Sequence, residues 1–363
     1  MSGLYIHYPF CNNICYYCHF IKTKYNKDKN NRFIKTIIRE IENIKKYDRI
    51  FETIYFGGGT PSLLKKDIIL IMDNIKKNLN LNLKETSIEI NPEDIDESFI
   101  GFLRKGEISR VSMGIQQMDD RLLNLLGRKH SSSDIYNATE LLKNGDFILN
   151  FDFIVGIPSE SEYEIEKIID FILKYQPDSV SVYFLEDVRG KYWERMEKLK
   201  DEAKIKHFKM IEKALESIGI KRYEISNFSK KGKTSIHNLK YWNYQEFLGI
   251  GPSAASLSNK RRWKNPDSFK LWEDSVFQNR DDRKDEYILT DSDIAKEAVM
   301  MGLRKTDGID ISVFKKRFSA DPLNILRKIL KDKKGFFEIK NGYIRIKKRY
   351  LFIFNSLLAE LFD

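Results

Sequence analysis

The sequence predicts an α/β fold, a TIM-like barrel followed by a small C-terminal domain. Two observations carry this reading. Short β-type runs alternate with amphipathic helical stretches through the first 228 residues, and such alternation argues for a parallel sheet. The unusual residues (cysteines, a glycine triplet, charges set among apolar side chains) fall at or beyond the ends of those runs, where barrels carry their sites.

In chain order, the β-type runs are 4–8, 53–56, 87–90, 110–115, 150–155, 179–185 and 222–225. Between them, residues 31–47 place Phe33, Ile34, Ile37, Ile38, Ile41 and Ile44 at helical spacing, which predicts one buried face. Residues 65–79, 134–142, 162–175 and 203–218 behave alike. The barrel is expected to span residues 1–228. After Phe228 the pattern changes, and 229–285 read as an aromatic, loop-rich connecting segment. Residues 286–363 read as a small domain of helices followed by a hairpin, which Asn341-Gly342 signals. Helices before a basic hairpin resemble a winged helix, a fold able to bind DNA. Phe336, Phe337, Ile339, Ile344 and Ile346 look core-facing, however, and no basic helix stands ready for a groove. A packing domain is therefore expected, with no nucleic acid partner.

A chain of 363 residues with 42% hydrophobic and 13% aromatic content can bury a sizeable core. The net charge of +10 favours anionic partners through its field, although both signs are spread along the chain. No apolar run approaches a membrane span, and no signal peptide is visible. There is no even-numbered cysteine framework, which suits a reducing compartment. The expectation is a cytoplasmic protein without a membrane span; peripheral membrane contact is left open.

All three cysteines lie in the stretch Tyr5-Ile6-His7-Tyr8-Pro9-Phe10-Cys11-Asn12-Asn13-Ile14-Cys15-Tyr16-Tyr17-Cys18-His19-Phe20. Thiolates are soft ligands that select iron–sulfur clusters, zinc or copper. Three so close can hold one centre from three sides and leave a side open for a reacting ligand. Three other readings compete. Unrelated core cysteines would not all fall in eight residues. A zinc site completed by His7 or His19 lacks a second Cys/His pair at finger spacing. Cys15-Tyr16-Tyr17-Cys18-His19 satisfies the pattern for covalent c-type heme attachment, but this leaves Cys11 unexplained and normally occurs outside the cytosol.

The Cys-x3-Cys-x2-Cys spacing, with an aromatic before the last cysteine, resembles the radical S-adenosyl-L-methionine (SAM) proteins. The preceding Tyr-Ile-His-Tyr-Pro-Phe resembles the oxygen-independent coproporphyrinogen III oxidase group among them. That resemblance implies a partial (βα)6 TIM-like barrel. It also implies a 4Fe-4S cluster on Cys11, Cys15 and Cys18, with SAM on the open iron through its amino and carboxylate groups. Tyr5 and Tyr17 correspond to aromatics that pack near SAM and between the second and third cysteines.

The remaining site residues follow from the same resemblance. Tyr55-Phe56-Gly57-Gly58-Gly59-Thr60-Pro61-Ser62 closes the second run. Its glycines permit close backbone approach, and Gly58, Gly59 and Thr60 take the role of contacting SAM; a sharp turn into a helix is the plainer reading. Glu89 lies between Ile88 and Ile90, and a carboxylate there needs a partner or a cationic ligand; by resemblance it meets SAM. Arg110, Gln116, Arg128 and Asp152 form a further set in or near strands. The resemblance places Gln116, Arg128 and Asp152 around a second small-molecule position, whereas Arg128 alone would read as a solvated charge.

Ser235-Ile236-His237-Asn238-Leu239-Lys240-Tyr241-Trp242 resembles the signature of the HemW heme chaperone branch of this group. His237 is then a candidate heme ligand, with Tyr241 and Trp242 offering flat faces. A buried histidine bonded within the protein is the alternative. There are three departures. His19 stands where the chaperone branch usually has Asp. The oxidases carry Gly and a fourth cysteine after the third, whereas this chain has Phe20 and no fourth cysteine. Residues 185–190 are an unusual version of the segment after the sixth run. The expected function is a chaperone that binds heme or a related tetrapyrrole and passes it to an acceptor protein the sequence does not name. The alternative is decarboxylation of coproporphyrinogen III propionates by a deoxyadenosyl radical.

Overall fold

In the computed structural model, which describes residues 2–186 and 196–361, six parallel strands stand side by side in chain order. They are β1 (Ser2–Tyr8), β2 (Ile50–Gly58), β3 (Asn80–Ile90), β4 (Arg110–Gln116), β5 (Ile148–Val155) and β6 (Ser179–Phe184). Helices cross between them on the outside, as parallel pairing demands. The helix Glu162–Tyr175 has the bounds its periodicity predicts, and Ile165, Ile168, Phe171 and Ile172 are its buried face. Two short helices, Glu97–Lys105 and Asp120–Leu125, were not anticipated.

The strands alternate cleanly, and this alternation builds the interior. On β5, Leu149, Phe151 and Phe153 are buried in the core, while Asn150, Asp152 and Ile154 line the central cavity. On β4, Val111, Met113 and Ile115 are core, while Arg110, Ser112, Gly114 and Gln116 face the cavity. Full burial of one such aromatic or aliphatic side chain stabilises the fold by about 1.5–3 kcal/mol. Register aligns Glu89 with Ser112, and Asp152 with Ser181. A period of two thus sends polar groups inward and apolar groups outward under the helices.

The barrel does not close; its sheet has two free edges. Beside β6 lies an antiparallel strand, Asn227–Ser229, with Lys221–Arg222 beyond it. The strand expected at 222–225 therefore breaks at Arg222 and reverses. Beside β1 lies a further parallel strand, Phe247–Ile250, followed by antiparallel Ala255–Ser258, Arg261–Lys264 and Lys284–Ile288. This corrects the reading of 229–285 as a loop-rich connector: that stretch extends the barrel sheet. Its strands are short, and two of its glycines are packing devices. A Cβ on Gly249 would lie 2.2 Å from the Ala255 carbonyl oxygen, and one on Gly251, at φ +95, 2.4 Å from that of His7.

The C-terminal part has its own core, including Val299, Leu303, Phe314, Leu326, Ile344 and Leu351. A three-stranded sheet of Ile309–Asp310, Tyr343–Ile346 and Phe337–Lys340 packs with its helices. Asn341 (φ 52) and Gly342 (φ 78) form the expected hairpin turn, whose two positive φ values suit this pair. Phe337, Ile344 and Ile346 are buried, but Ile339 is 48% exposed, because strand alternation turns it outward. No described helix is long and apolar enough to cross a membrane.

Candidate cofactor site

A cavity of about 590 Å³ opens at the C-terminal ends of the strands. Of the sequence-predicted residues, Cys11, Cys15, Cys18, Tyr17, Gly58, Gly59, Thr60, Glu89, Gln116, Arg128 and Asp152 line it. Tyr5 and His237 do not.

The glycine strap after β2 supports the cysteine loop through backbone contacts. The Gly59 N–H donates to the Tyr8 carbonyl at 2.6 Å and the Thr60 N–H to that of Phe10 at 2.9 Å. A Cβ on Gly59 would meet the Phe10 oxygen at 2.7 Å, so only glycine permits this approach. Gly58 adopts φ +108, and a Cβ there would lie 2.7 Å from the His7 ring. His7 anchors the far end of the cysteine loop: the Tyr5 hydroxyl donates to its Nδ1 at 3.0 Å, and its Nε2–H donates to the Ile21 carbonyl at 2.9 Å. Tyr5 therefore acts beneath the site rather than in it. The near side of the loop is clamped by the Tyr16 N–H on the Leu126 carbonyl at 3.1 Å and by the Asn13 amide on the Gly127 carbonyl.

All three cysteines are free thiols. Burial pushes the Cys11 thiol up, and its bond to the Thr60 side chain offsets part of that rise. Among the described residues no group of three or more His, Cys, Asp or Glu side chains is placed to hold a metal ion. A cluster is a larger ligand, whose irons each take one thiolate, so its thiols need only share a wall of one cavity, as these do. The donor set therefore fits a 4Fe-4S cluster better than a single zinc ion.

Two carboxyls face inward below the loop. Glu89 accepts from the Tyr55 hydroxyl at 2.8 Å and the Gly58 N–H at 3.2 Å. Burial, with Asp152 nearby, pushes its pKa up to about 7. Asp152 accepts from Ser112 at 2.7 Å and Asn150 at 2.8 Å, and burial raises it too. A cationic ligand would stabilise both as carboxylates. The buried Arg128 guanidinium supplies the opposite sign. It donates to the Asn91 side chain at 2.7 Å and the Gly114 carbonyl at 3.2 Å, stands over the Tyr17 ring, and leaves its Nε without a partner. Carboxylates and a partly unsatisfied guanidinium in one cavity suit a zwitterionic, positively charged ligand such as SAM. Gly114 leaves room for this: a Cβ would lie 2.7 Å from Arg128 Nη2. Gln116, at φ +69, holds an unusual backbone conformation of the kind found at binding sites.

His237, the candidate heme ligand, is placed away from the cavity. His237 is 1% exposed on the helix Ile236–Trp242, not in a loop. Its Nδ1 is bonded to the Thr53 hydroxyl and its Nε2 to the Tyr241 hydroxyl, both at 2.8 Å. Burial pushes its pKa down to about 3, so it is neutral, and both ring nitrogens are engaged. Tyr241 packs edge-on against Phe247, and the Arg304 guanidinium lies over Trp242, so neither offers a bare face. The helix plugs the lower end of the barrel. The Glu85 carboxylate accepts from the Ile236 and His237 N–H groups, each at 3.0 Å, and from Arg110 at 2.9 Å. Arg110 is thus held by an ion pair rather than free for a ligand. Of the pair His237-Asn238, it is Asn238 that lines the cavity.

Tyr55, Asn91 and Tyr183, which the sequence reading did not single out, also line it. Tyr55 was detectable as the inward position two residues before the Gly57-Gly58-Gly59 run. Of the segment 185–190, residues 187–190 lie outside the described residues.

Residues 5–172 match the Radical SAM superfamily and residues 289–352 match the HemN C-terminal domain. Fold and site together define a radical SAM protein. Two proteins named heme chaperone HemW align along nearly the whole chain. The one from Bacillus subtilis is 29% identical over 92% of this chain and 91% of its own. The one from Buchnera aphidicola subsp. Schizaphis graminum is 30% identical over 99% and 98%. The chain belongs to the HemW family. The solved structure of coproporphyrinogen III oxidase (HemN) from Escherichia coli superimposes with a TM-score of 0.86 over 99% of this chain and 89% of that one, at 19% identity; this likeness establishes the shared fold.

Proposed function

We propose that this chain is a heme chaperone that binds heme and passes it to an acceptor protein. Cys11, Cys15 and Cys18 would hold a 4Fe-4S cluster, and SAM would take a position in the same cavity. When bound, the two would supply the chemistry of the radical SAM class. Gly58, Gly59 and Thr60 shape the cysteine side of that position. Glu89 meets the positive end of the ligand, while we place Gln116, Arg128 and Asp152, expected around a second small-molecule position, against its deeper part. Tyr17 lies over Arg128. A cytoplasmic location suits three reduced thiols.

The observation that carries this reading is kinship, at 30% identity over 99% of the chain, with a protein named heme chaperone. Against the oxidase alternative stands the absent fourth cysteine, where Phe20 is found.

The test is an anaerobic reconstitution with SAM, a reductant and coproporphyrinogen III, run beside an authentic oxidase. No decarboxylation is expected, while a parallel sample given hemin keeps it through gel filtration. Turnover comparable to the oxidase, without retained heme, would reverse the assignment.

A further inference from the structure

We propose that heme docks outside the cavity, on the exposed apolar edge of the cysteine loop, with the His19 imidazole as the ligand to its iron. This rests on the heme chaperone reading above and goes further by locating the cargo.

The chain has five histidines. His7, His130, His207 and His237 are each at most 4% exposed and each is hydrogen bonded: His7 to Tyr5 and Ile21, His130 to Glu93 and Ile115, His207 to Glu160, His237 to Thr53 and Tyr241. His19 alone is exposed, and it stands at the cavity mouth. An imidazole nitrogen is a common axial ligand to heme iron, and His19 can present one without unpacking anything.

The surface around His19 is apolar. Phe20 is 64% exposed, Tyr16 52%, Ile14 47% and Ile21 40%. Four large apolar side chains thus stand exposed within eight residues of one loop, and exposed apolar surface beyond scattered single residues marks a binding surface. Lys22 donates to the Cys18 and Phe20 carbonyls, which braces the turn that carries His19.

The cavity interior is a poor seat for heme. Its lower walls are polar: Ser112, Asn150, Ser181 and Asn227 face the cavity. These groups already bond one another, Asn150 donating to Ser112 and Ser181 and Ser181 to Asn227, yet covering them with heme, a broad and mostly apolar disc, would still cost their remaining hydration. The apolar rim has no such cost. Because Cys15 and Cys18 are committed to the cluster, heme on this rim is held without thioether bonds.

The test is hemin titration of the cluster-loaded protein, followed by absorption and EPR spectra, on the wild type and on His19→Ala, Phe20→Ser and His237→Gln. The wild type is expected to show a histidine-ligated spectrum and to release its heme into acidified organic solvent. His19→Ala should bind at least about tenfold more weakly and lose that spectrum, with iron and sulfide content unchanged. Added imidazole should restore the spectrum. Phe20→Ser should weaken binding while keeping the spectrum, and folded His237→Gln should match the wild type. A His19→Ala protein with unaltered affinity and spectrum overturns the site while leaving the chaperone reading intact. So does loss of the spectrum that imidazole does not restore, or loss of iron and sulfide together with heme. A wild type that takes up no hemin overturns the chaperone reading and this site with it.

Discussion

The Gly58 N–H donates to the Glu89 carboxyl at 3.2 Å, joining the glycine strap that supports the cysteine loop to the floor of the cavity. Burial lifts the Glu89 pKa to about 7, so the charge on that floor changes near neutrality. A cationic ligand binds the ionised form better. SAM affinity should therefore rise with pH through about 7, and Glu89→Gln should bind at least about tenfold more weakly with a flat profile. Anaerobic calorimetry from pH 6 to 8 measures this. Equal slopes in the two proteins would remove Glu89 from the SAM site.

Glu40 makes a separate prediction about stability. Its buried carboxyl accepts from the Gly251 N–H at 2.8 Å, Asn265 at 2.8 Å and Trp272 at 2.9 Å, and burial raises its pKa to about 7. The folded state thus holds this proton more tightly than the unfolded chain does. The associated stability is fully present below the ordinary glutamate range and is lost as pH rises through about 7. Over that window cluster-free protein should lose up to roughly 3 kcal/mol from this group. Denaturant midpoints at pH 5 and 8 test it, and Glu40→Gln should shrink the difference.

His237→Ala should act on the fold. It would leave the Thr53 and Tyr241 hydroxyls buried without their common partner and open a cavity under Gly3, whose Cβ position lies 3.1 Å from the His237 ring. The expected cost is about 2–4 kcal/mol, read by chemical denaturation. A fully stable His237→Ala protein with lost heme binding would instead restore the ligand role.

The residues that could be read from sequence were those whose role is local. Alternation on β4 and β5 marked both faces of the sheet, and the spacing of Ile165, Ile168, Phe171 and Ile172 fixed a helix. The cysteines, the glycine strap and Glu89 were visible because their types are unusual for their positions. What was not legible depends on distant partners. Phe247–Ile250 is a strand because it pairs with β1, more than two hundred residues away, and its four residues carry too little pattern to show it. His237 looked like a ligand because its chemistry permits that, while the Thr53 hydroxyl that engages it is distant in sequence. The one local clue was the four-residue spacing of His237 and Tyr241, which on a helix puts both on one face.

Gly114→Ala probes Arg128 without touching its charge. The added methyl would lie 2.7 Å from Arg128 Nη2 and 2.8 Å from Gln116 Nε2, both ends of flexible side chains. The fold should survive with a small loss of stability, while SAM affinity falls at least about tenfold. Unchanged SAM affinity would show that neither side chain meets the ligand.

The most direct measurement is a joint count of iron, sulfide and heme in one anaerobically reconstituted, hemin-treated sample after gel filtration, repeated for Cys11→Ala, Cys15→Ala and Cys18→Ala. The expected result is non-heme iron and sulfide in equal amounts together with retained heme in the wild type, and loss of most non-heme iron and sulfide in each folded variant. Stoichiometric zinc without sulfide, or a loaded cluster that retains no heme, would contradict it.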